Sequence, residues 1–322
     1  MPKGFLQKVT HLLKPGSIQI ERTACAVASA NLFSPESKVQ SPESDDRIRL
    51  QALNSGLWTF QFMNILIIGD IVARPGRKAV LERLQDLRKE YEIDIALING
   101  ENVAGGFSIT PKIADEFFEK GVDVITTGNH IFDKVEIIPY LEKNERIIRP
   151  ANYPPHTPGR GLVVGEINGH KIAVMNFLGR VFMPPVDDPF RKADELLQQI
   201  PDDVKIRLVD FHAEATSEKY AMGWFLDGRV SCVYGSHTHV PTADERILDN
   251  GTAYVTDVGM TGSYAGCIGM KKEDIISRFT KFPARRADHA EGDVWICALV
   301  LEVDETTGKA TKIERLRLTH DS

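Results

Sequence analysis

The chain is poor in cysteine. Its four thiols, Cys25, Cys232, Cys267 and Cys297, are widely separated and form no C-x-x-C pair. That excludes a disulfide framework and a thiolate metal site, and it fits a reducing compartment, so a cytoplasmic protein is expected. Any apolar run long enough to span a bilayer is also missing, so no membrane is expected as a partner. No internal repeat is present, nor any low-complexity tract beyond the N-terminal segment. Positive charge is short too, with a formal net charge of −6. What remains is ordinary for a folded protein, 42% hydrophobic and 26% charged residues in 322, more than one minimal core needs without requiring two domains.

Residues 1–62 differ from the rest of the chain. Serine, proline and polar residues are frequent there, periodicity is weak, and Pro2, Pro15, Pro35 and Pro42 interrupt it. The segment is expected to be disordered or foreign to the fold. Up to Pro35, Lys3, Lys8, Lys14 and Arg22 stand against Glu21 alone, a balance similar to that of an organelle transit peptide. The plainer account is an upstream start, since Met63 immediately precedes the first strong strand. Without this segment, residues 63–322 carry 32 basic and 40 acidic side chains, a net of −8. So acidic a body is unsuited to gripping long nucleic acid, and the phosphate it handles should belong to a small molecule.

From Met63 the pattern alternates apolar strand and amphipathic helix. Asn64 to Gly69 is continuous enough for a strand buried on both faces, and Pro75 suits a helix start. Val80, Leu81, Leu84, Leu87 and Tyr91 recur at helical spacing. Strands at 93–98 and 122–127 flank a helix near Thr110 to Lys120, which makes a βαβαβ unit with a parallel sheet. Asn168-Gly169, between apolar runs at 162–167 and 171–177, signals a hairpin and therefore antiparallel pairing. Helices near 190–200, 218–226 and 272–280 are expected. So are strands at 205–211, 230–234, 294–303 and 310–318, with a hairpin around Asp249-Asn250-Gly251. The whole reads as one mixed α/β domain over 63–322, two packed sheets with helices outside.

The polar residues at the strand ends carry the functional argument. Asp70 follows the first strand, Glu101 and Asn102 the second, Asn129 and His130 the third. His212 follows the strand ending at Phe211, and His237 and His239 follow the run from Val230. If the segment stays extended, His237 and His239 point the same way. Ligands bind beyond the carboxyl ends of strands in open α/β sheets, so five strand ends with this residue set describe one site assembled from distant segments. Carboxylate, amide and imidazole donors without sulfur suit manganese, iron or zinc, and three imidazoles make magnesium a poorer match. Asp70, Glu101, Asn102, Asn129, His212, His237 and His239 are too many for one open site. They suffice for two metals about 3.5–4 Å apart, with one carboxylate bridging.

In their order and spread, Gly69-Asp70, Gly100-Glu101-Asn102, Gly128-Asn129-His130, His212 and His237-Thr238-His239 resemble the calcineurin-like metallophosphoesterase superfamily. Gly-Glu-Asn, where most of that superfamily has Gly-Asp, is similar to the bacterial YmdB-like branch, known for hydrolysing 2',3'-cyclic nucleotides. The resemblance implies an αββα sandwich. It also implies a dinuclear phosphodiesterase in which a metal-bridging hydroxide attacks in line and His130 donates the proton to the leaving group. Two divalent ions less Asp70, Glu101 and the hydroxide leave a charge of about +1, which a phosphodiester monoanion neutralises. The chain departs from the wider pattern twice. Val72 stands where a histidine is usual, a gap that Asn102 is expected to fill, and Ser236 stands where glycine is usual, which is expected to narrow the turn's freedom.

Alternative readings are a phosphomonoesterase or nucleotidase on the same metals, or a metal- or nucleotide-sensing regulatory protein with incidental catalysis. A homo-oligomer is compatible with the chain. The glycine-rich loop 257–270 matches neither a dinucleotide fingerprint nor a P-loop, so a flexible connection is as good a reading as a substrate contact. Cys267 within it could line the site wall, and a small buried filler is the plainer expectation. Arg180, Arg285 and Arg286 could meet phosphate, though most arginines face solvent.

Overall fold

A computed structural model describes residues 62–283 and 286–320. The expectation for residues 1–62 lies outside the described residues, save that the first strand already includes Phe62. That strand, β1 (Phe62–Ile68), is followed by α1 (Ala73–Glu90), β2 (Ile95–Asn99), α2 (Pro111–Glu119) and β3 (Val124–Thr126). β1, β2 and β3 pair in parallel, as the alternation of apolar runs and helical periods requires. Thr110 caps α2 by accepting from the Ile113 N–H at 3.3 Å, ahead of Pro111 at the first helical position. After two short 3₁₀ turns and α3 (Ile138–Lys143), which sequence periodicity did not reveal, β4 (Leu162–Ile167) and β5 (His170–Leu178) form the expected hairpin. Asn168 and Gly169 both take positive φ, 53° and 87°, as a two-residue turn of that type demands.

The chain continues through α4 (Pro189–Leu197), β6 (Ile206–His212), α5 (Thr216–Leu226) and β7 (Cys232–Ser236). Then come β8 (Arg246–Ile247), β9 (Ala253–Val255), β10 (Gly262–Ser263), α6 (Lys272–Thr280), β11 (Val294–Asp304) and β12 (Ala310–His320). Two six-stranded sheets result. One runs β10-β11-β1-β2-β3, with β12 on β11, and the other runs β4-β5-β6-β7-β9-β8.

Alternation along β1 shows how the layers stack. Met63, Ile65 and Ile67 join Leu97, Ile172, Val174, Leu208 and Tyr234 in an apolar layer between the sheets. Leu66 and Ile68 point the other way, onto Val80, Leu84 and Leu87 of α1 and Phe117 of α2. On the far side, Met175, Phe177, Val209 and Phe211 meet Met222 and Leu226 of α5. This is the expected αββα sandwich. Among the described residues no helix is long and apolar enough to cross a membrane.

Candidate metal centre

The parallel strands of both sheets deliver their carboxyl ends to one place. β1 leads through Gly69 to Asp70. A Cβ at Gly69 would fall 1.9 Å from the Gly259 carbonyl, so only glycine lets loop 257–270 cross there. That loop is no loose connection. Thr261 accepts from the Val72 N–H at 2.9 Å and donates to the Asp70 carbonyl at 2.8 Å, and Val258, Met260, Thr261 and Ser263 are buried. Val72 packs beneath it against Met260. Cys267 corrects the expectation of a buried filler: it is exposed, at the loop's outer turn, where Cys267 and Met270 exchange backbone hydrogen bonds.

β2 leads to Glu101 and Asn102, whose neighbouring side chains both enter the site because the chain turns. The Asn102 carbonyl accepts from the N–H groups of Ala73 at 2.9 Å and Gly106 at 3.0 Å. β3 leads to Gly128, where a Cβ would fall 2.2 Å from Glu101 Oε2 and 2.4 Å from His212 Nε2. His212 is the last residue of β6. The extended-segment argument for His237 and His239 needs correction. β7 ends at Ser236, and both histidines sit at positive φ, 96° and 65°. They reach the site through a strained turn rather than by strand alternation.

All eight candidates lie in one connected cluster. His212 Nε2 is 3.0 Å from Glu101 Oε1, 3.1 Å from Asn129 Oδ1 and 3.1 Å from His237 Nδ1. The Asn102 amide sits 3.0 Å from Glu101 Oε1 and 3.1 Å from His239 Nε2. Asp70 Oδ2 accepts from the His237 N–H at 3.1 Å. The His130 N–H donates to Glu101 Oε2 at 3.1 Å, while its ring Nδ1 pairs with Asp133 at 2.8 Å. Ligating atoms of Glu101, His212 and His237 all lie within 4.8 Å of one another. Arg180 is turned elsewhere, toward Asp188 at 3.8 Å, and Arg285 lies outside the described residues.

The electrostatics call for a cation. Asp70 and Glu101 are buried, and Asp70 Oδ1 has no hydrogen-bond partner. Burial pushes the Asp70 carboxyl up, against the pull of His239 and His212. Burial acts the same way on Glu101, but the adjoining His212 outweighs it and holds the carboxyl down at about 2. Against its own burial, His212 is raised to about 9 by Glu101, Asp70 and Asp210. Burial and the neighbouring His212 lower His237 to about 3, so its ring is neutral and offers a lone pair. A buried carboxylate oxygen without a hydrogen bond, a His212 ring held protonated by the carboxylates beside it and a neutral His237 ring together make a setting in which a divalent ion replaces protons.

Sequence reasoning missed the side chains that hold this cluster. Buried Asp210, raised to about 6 by burial, accepts from Ser236 Oγ at 2.5 Å, from Asn99 Nδ2 at 3.1 Å and from Thr126 Oγ1. Ser236 Oγ in turn lies 2.9 Å from His212 Nδ1. That relay assigns the Nδ1 proton and leaves Nε2 facing the site, so Ser236 does more than narrow a turn. Asp210 was legible, two residues before His212 on one strand and hence on the same side. Lys219 and Asp257 were harder to find. Lys219 Nζ donates to Asp257 Oδ2 at 2.6 Å and to the Ser236 carbonyl at 2.8 Å, and Asp257 Oδ2 accepts from Thr238 Oγ1 at 2.8 Å. Thr238, between the two histidines, is thereby fastened by a buried ion pair.

Two facing mixed sheets, with imidazole, amide and carboxylate donors where their parallel strands end, define the metallophosphoesterase class of fold. Within it the chain belongs to the YmdB-like protein family, whose sequence profile matches residues 66–316. Over 260 residues, 80% of this chain and 98% of the relative, it is 49% identical to the 2',3'-cyclic-nucleotide 2'-phosphodiesterase of Bacillus subtilis. A hypothetical protein of Thermus thermophilus, known from its crystal structure, is 40% identical with a TM-score of 0.75, covering 80% of this chain and all 100% of that one. A Mycoplasma pneumoniae structure described as a novel phosphatase is 34% identical with a TM-score of 0.77, covering 82% and 95%. The protein is therefore a phosphoester hydrolase of a family that uses divalent metal ions.

Proposed function

We propose that this chain is a dinuclear metal-dependent phosphodiesterase acting on small 2',3'-cyclic nucleotides. The observation that carries the reading is the convergence of six further donors on the Glu101 carboxylate, with Asp70 Oδ1 buried and without a hydrogen bond among them. The Bacillus subtilis relative supplies the substrate class. Asn129, His212 and His237 would hold one ion on one side of Glu101, and Asp70, Asn102 and His239 a second on the other. The donor set favours iron or manganese, with zinc able to substitute. Once bound, the ions would neutralise phosphoryl charge and acidify water.

The chain's own residues then have distinct tasks. Asp133, 2.8 Å from His130 Nδ1, fixes the ring and keeps that nitrogen protonated, leaving Nε2 to protonate the departing ribose oxygen. Glu101 Oε2, by accepting from the His130 N–H, keeps that donor in register with the site. The Asp210–Ser236 relay aims His212, and Asp257 with Lys219 seats the loop bearing His237 and His239. We assign the reaction to the cytoplasm, where free Cys232 and Cys297 stay reduced.

Metal analysis of the purified full chain, coupled to a panel of 2',3'- and 3',5'-cyclic nucleotides and phosphate monoesters, tests this. About two ions per chain and the highest kcat/KM on 2',3'-cyclic nucleotides are expected. A higher kcat/KM on monoesters at identical metal loading would replace the reading with a nucleotidase.

A further inference from the structure

We propose that Phe107 is the platform on which the nucleobase of the substrate stacks, an inference that rests on the phosphodiesterase reading. If His130 protonates the leaving ribose oxygen, the nucleoside attached to that oxygen must lie on the His130 side of the metals. On that side the protein has a cavity of about 420 Å³ lined by Ala104, Gly105, Phe107, Asp133, Lys134 and Arg286. Ligand pockets for small organic molecules run from about 300 to 1,000 Å³, so a nucleoside fits.

Phe107 is a half-buried aromatic with no core to serve. It joins none of the hydrophobic clusters among the described residues. Its ring instead stands edge-on to His130, centroids 5.1 Å apart and planes at 70°, and its remaining surface lines the cavity. The chain on either side of Phe107 is tied down. The Gly106 N–H donates to the Asn102 carbonyl at 3.0 Å, which ties Phe107 to the proposed metal ligands, and Ser108 Oγ donates to the Ile131 carbonyl at 2.7 Å, which ties it to the segment carrying His130. Ser108 takes φ 59° there, a conformation that non-glycine residues rarely adopt. Gly105 leaves open space, since a Cβ there would meet nothing within 4 Å. An apolar ring beside the proton donor, facing a nucleoside-sized cavity with Lys134 and Arg286 on its wall, is suited to any base, because every base has a π-face. All four 2',3'-cyclic nucleotides should therefore be accepted, with purines favoured over pyrimidines.

The test compares Phe107→Ala, Phe107→Trp and wild type, each metal-loaded and full length, on 2',3'-cyclic AMP and on ribose 2',3'-cyclic phosphate, which has no base. Phe107→Ala is expected to lower kcat/KM on the nucleotide about 10-fold, chiefly through KM, and to leave the base-free diester within about twofold, while Phe107→Trp restores the nucleotide. Equal loss on both substrates would show that Phe107 only positions His130, and no loss on either would show that the base lies elsewhere. Either result overturns the proposal while leaving the phosphodiesterase reading in place. Failure of wild type to turn over both diesters would overturn that reading and the platform with it.

Discussion

His212 Nε2 has three ligating atoms within 3.1 Å, from Glu101, Asn129 and His237, and a single proton cannot serve them all. That crowding is the residue-scale signature of a cation site. His130 stands apart from it: its ring is held by Asp133 and meets Phe107 edge-on, and only its backbone touches Glu101. His130→Ala should therefore keep both metals yet lose about 10²- to 10⁴-fold in rate, with smaller losses on p-nitrophenyl esters, whose leaving group needs no proton. Metal analysis and a leaving-group series measure this, and equal losses across the series with metals retained would remove the proton-donor role. Asn102, its amide between Glu101 and His239, is expected to replace the imidazole that Val72 cannot provide. Metal titration of Asn102→Ala should show one weakened ion and one unchanged; two unchanged affinities would reduce Asn102 to a residue that caps its turn.

Among the elements, periodic segments and turns with their own residue signature were legible, and turns held by distant side chains were not. The helix at 272–280 and the hairpin at Asn168-Gly169 follow from local signals, periodicity in one case and turn chemistry in the other. The turn after β7 could not be read this way. Nothing in Ser236-His237-Thr238-His239 announces two histidines at positive φ, because that conformation is imposed by Lys219 on α5 and Asp257 after β9, 17 and 19 residues away from the atoms they hold. Lys219 is only 1% exposed. Replacing it with methionine leaves the Asp257 carboxylate buried without its cation, which should cost roughly 3–5 kcal/mol. A urea denaturation midpoint unchanged in Lys219→Met would show that the pair is dispensable. The same variant should also bind metal more weakly, since Thr238 loses its firm anchor.

Across the whole molecule, the site exists because two sheets stack so that β1, β2 and β3 of one and β6 and β7 of the other end together. Each of those strands lies inside its sheet or is covered by a helix layer, and β1 is paired to β11 from Phe62 and to β2 from Ile65. We therefore expect a chain started at Met63 to keep the melting temperature and turnover of the full-length protein; a large fall in both would place residues 1–62 within the domain. By itself the sequence determined the alternation of strands and helices, the layered α/β class and the ligand types, since hydrophobic period and the polar residues after each buried strand are local properties. Tertiary structure alone decided what those residues became. Ser236, Lys219, Asp257 and Phe107 acquire their tasks only through partners far away in the chain, and such contacts leave no periodic trace because they are fixed by how the two sheets and their loops pack.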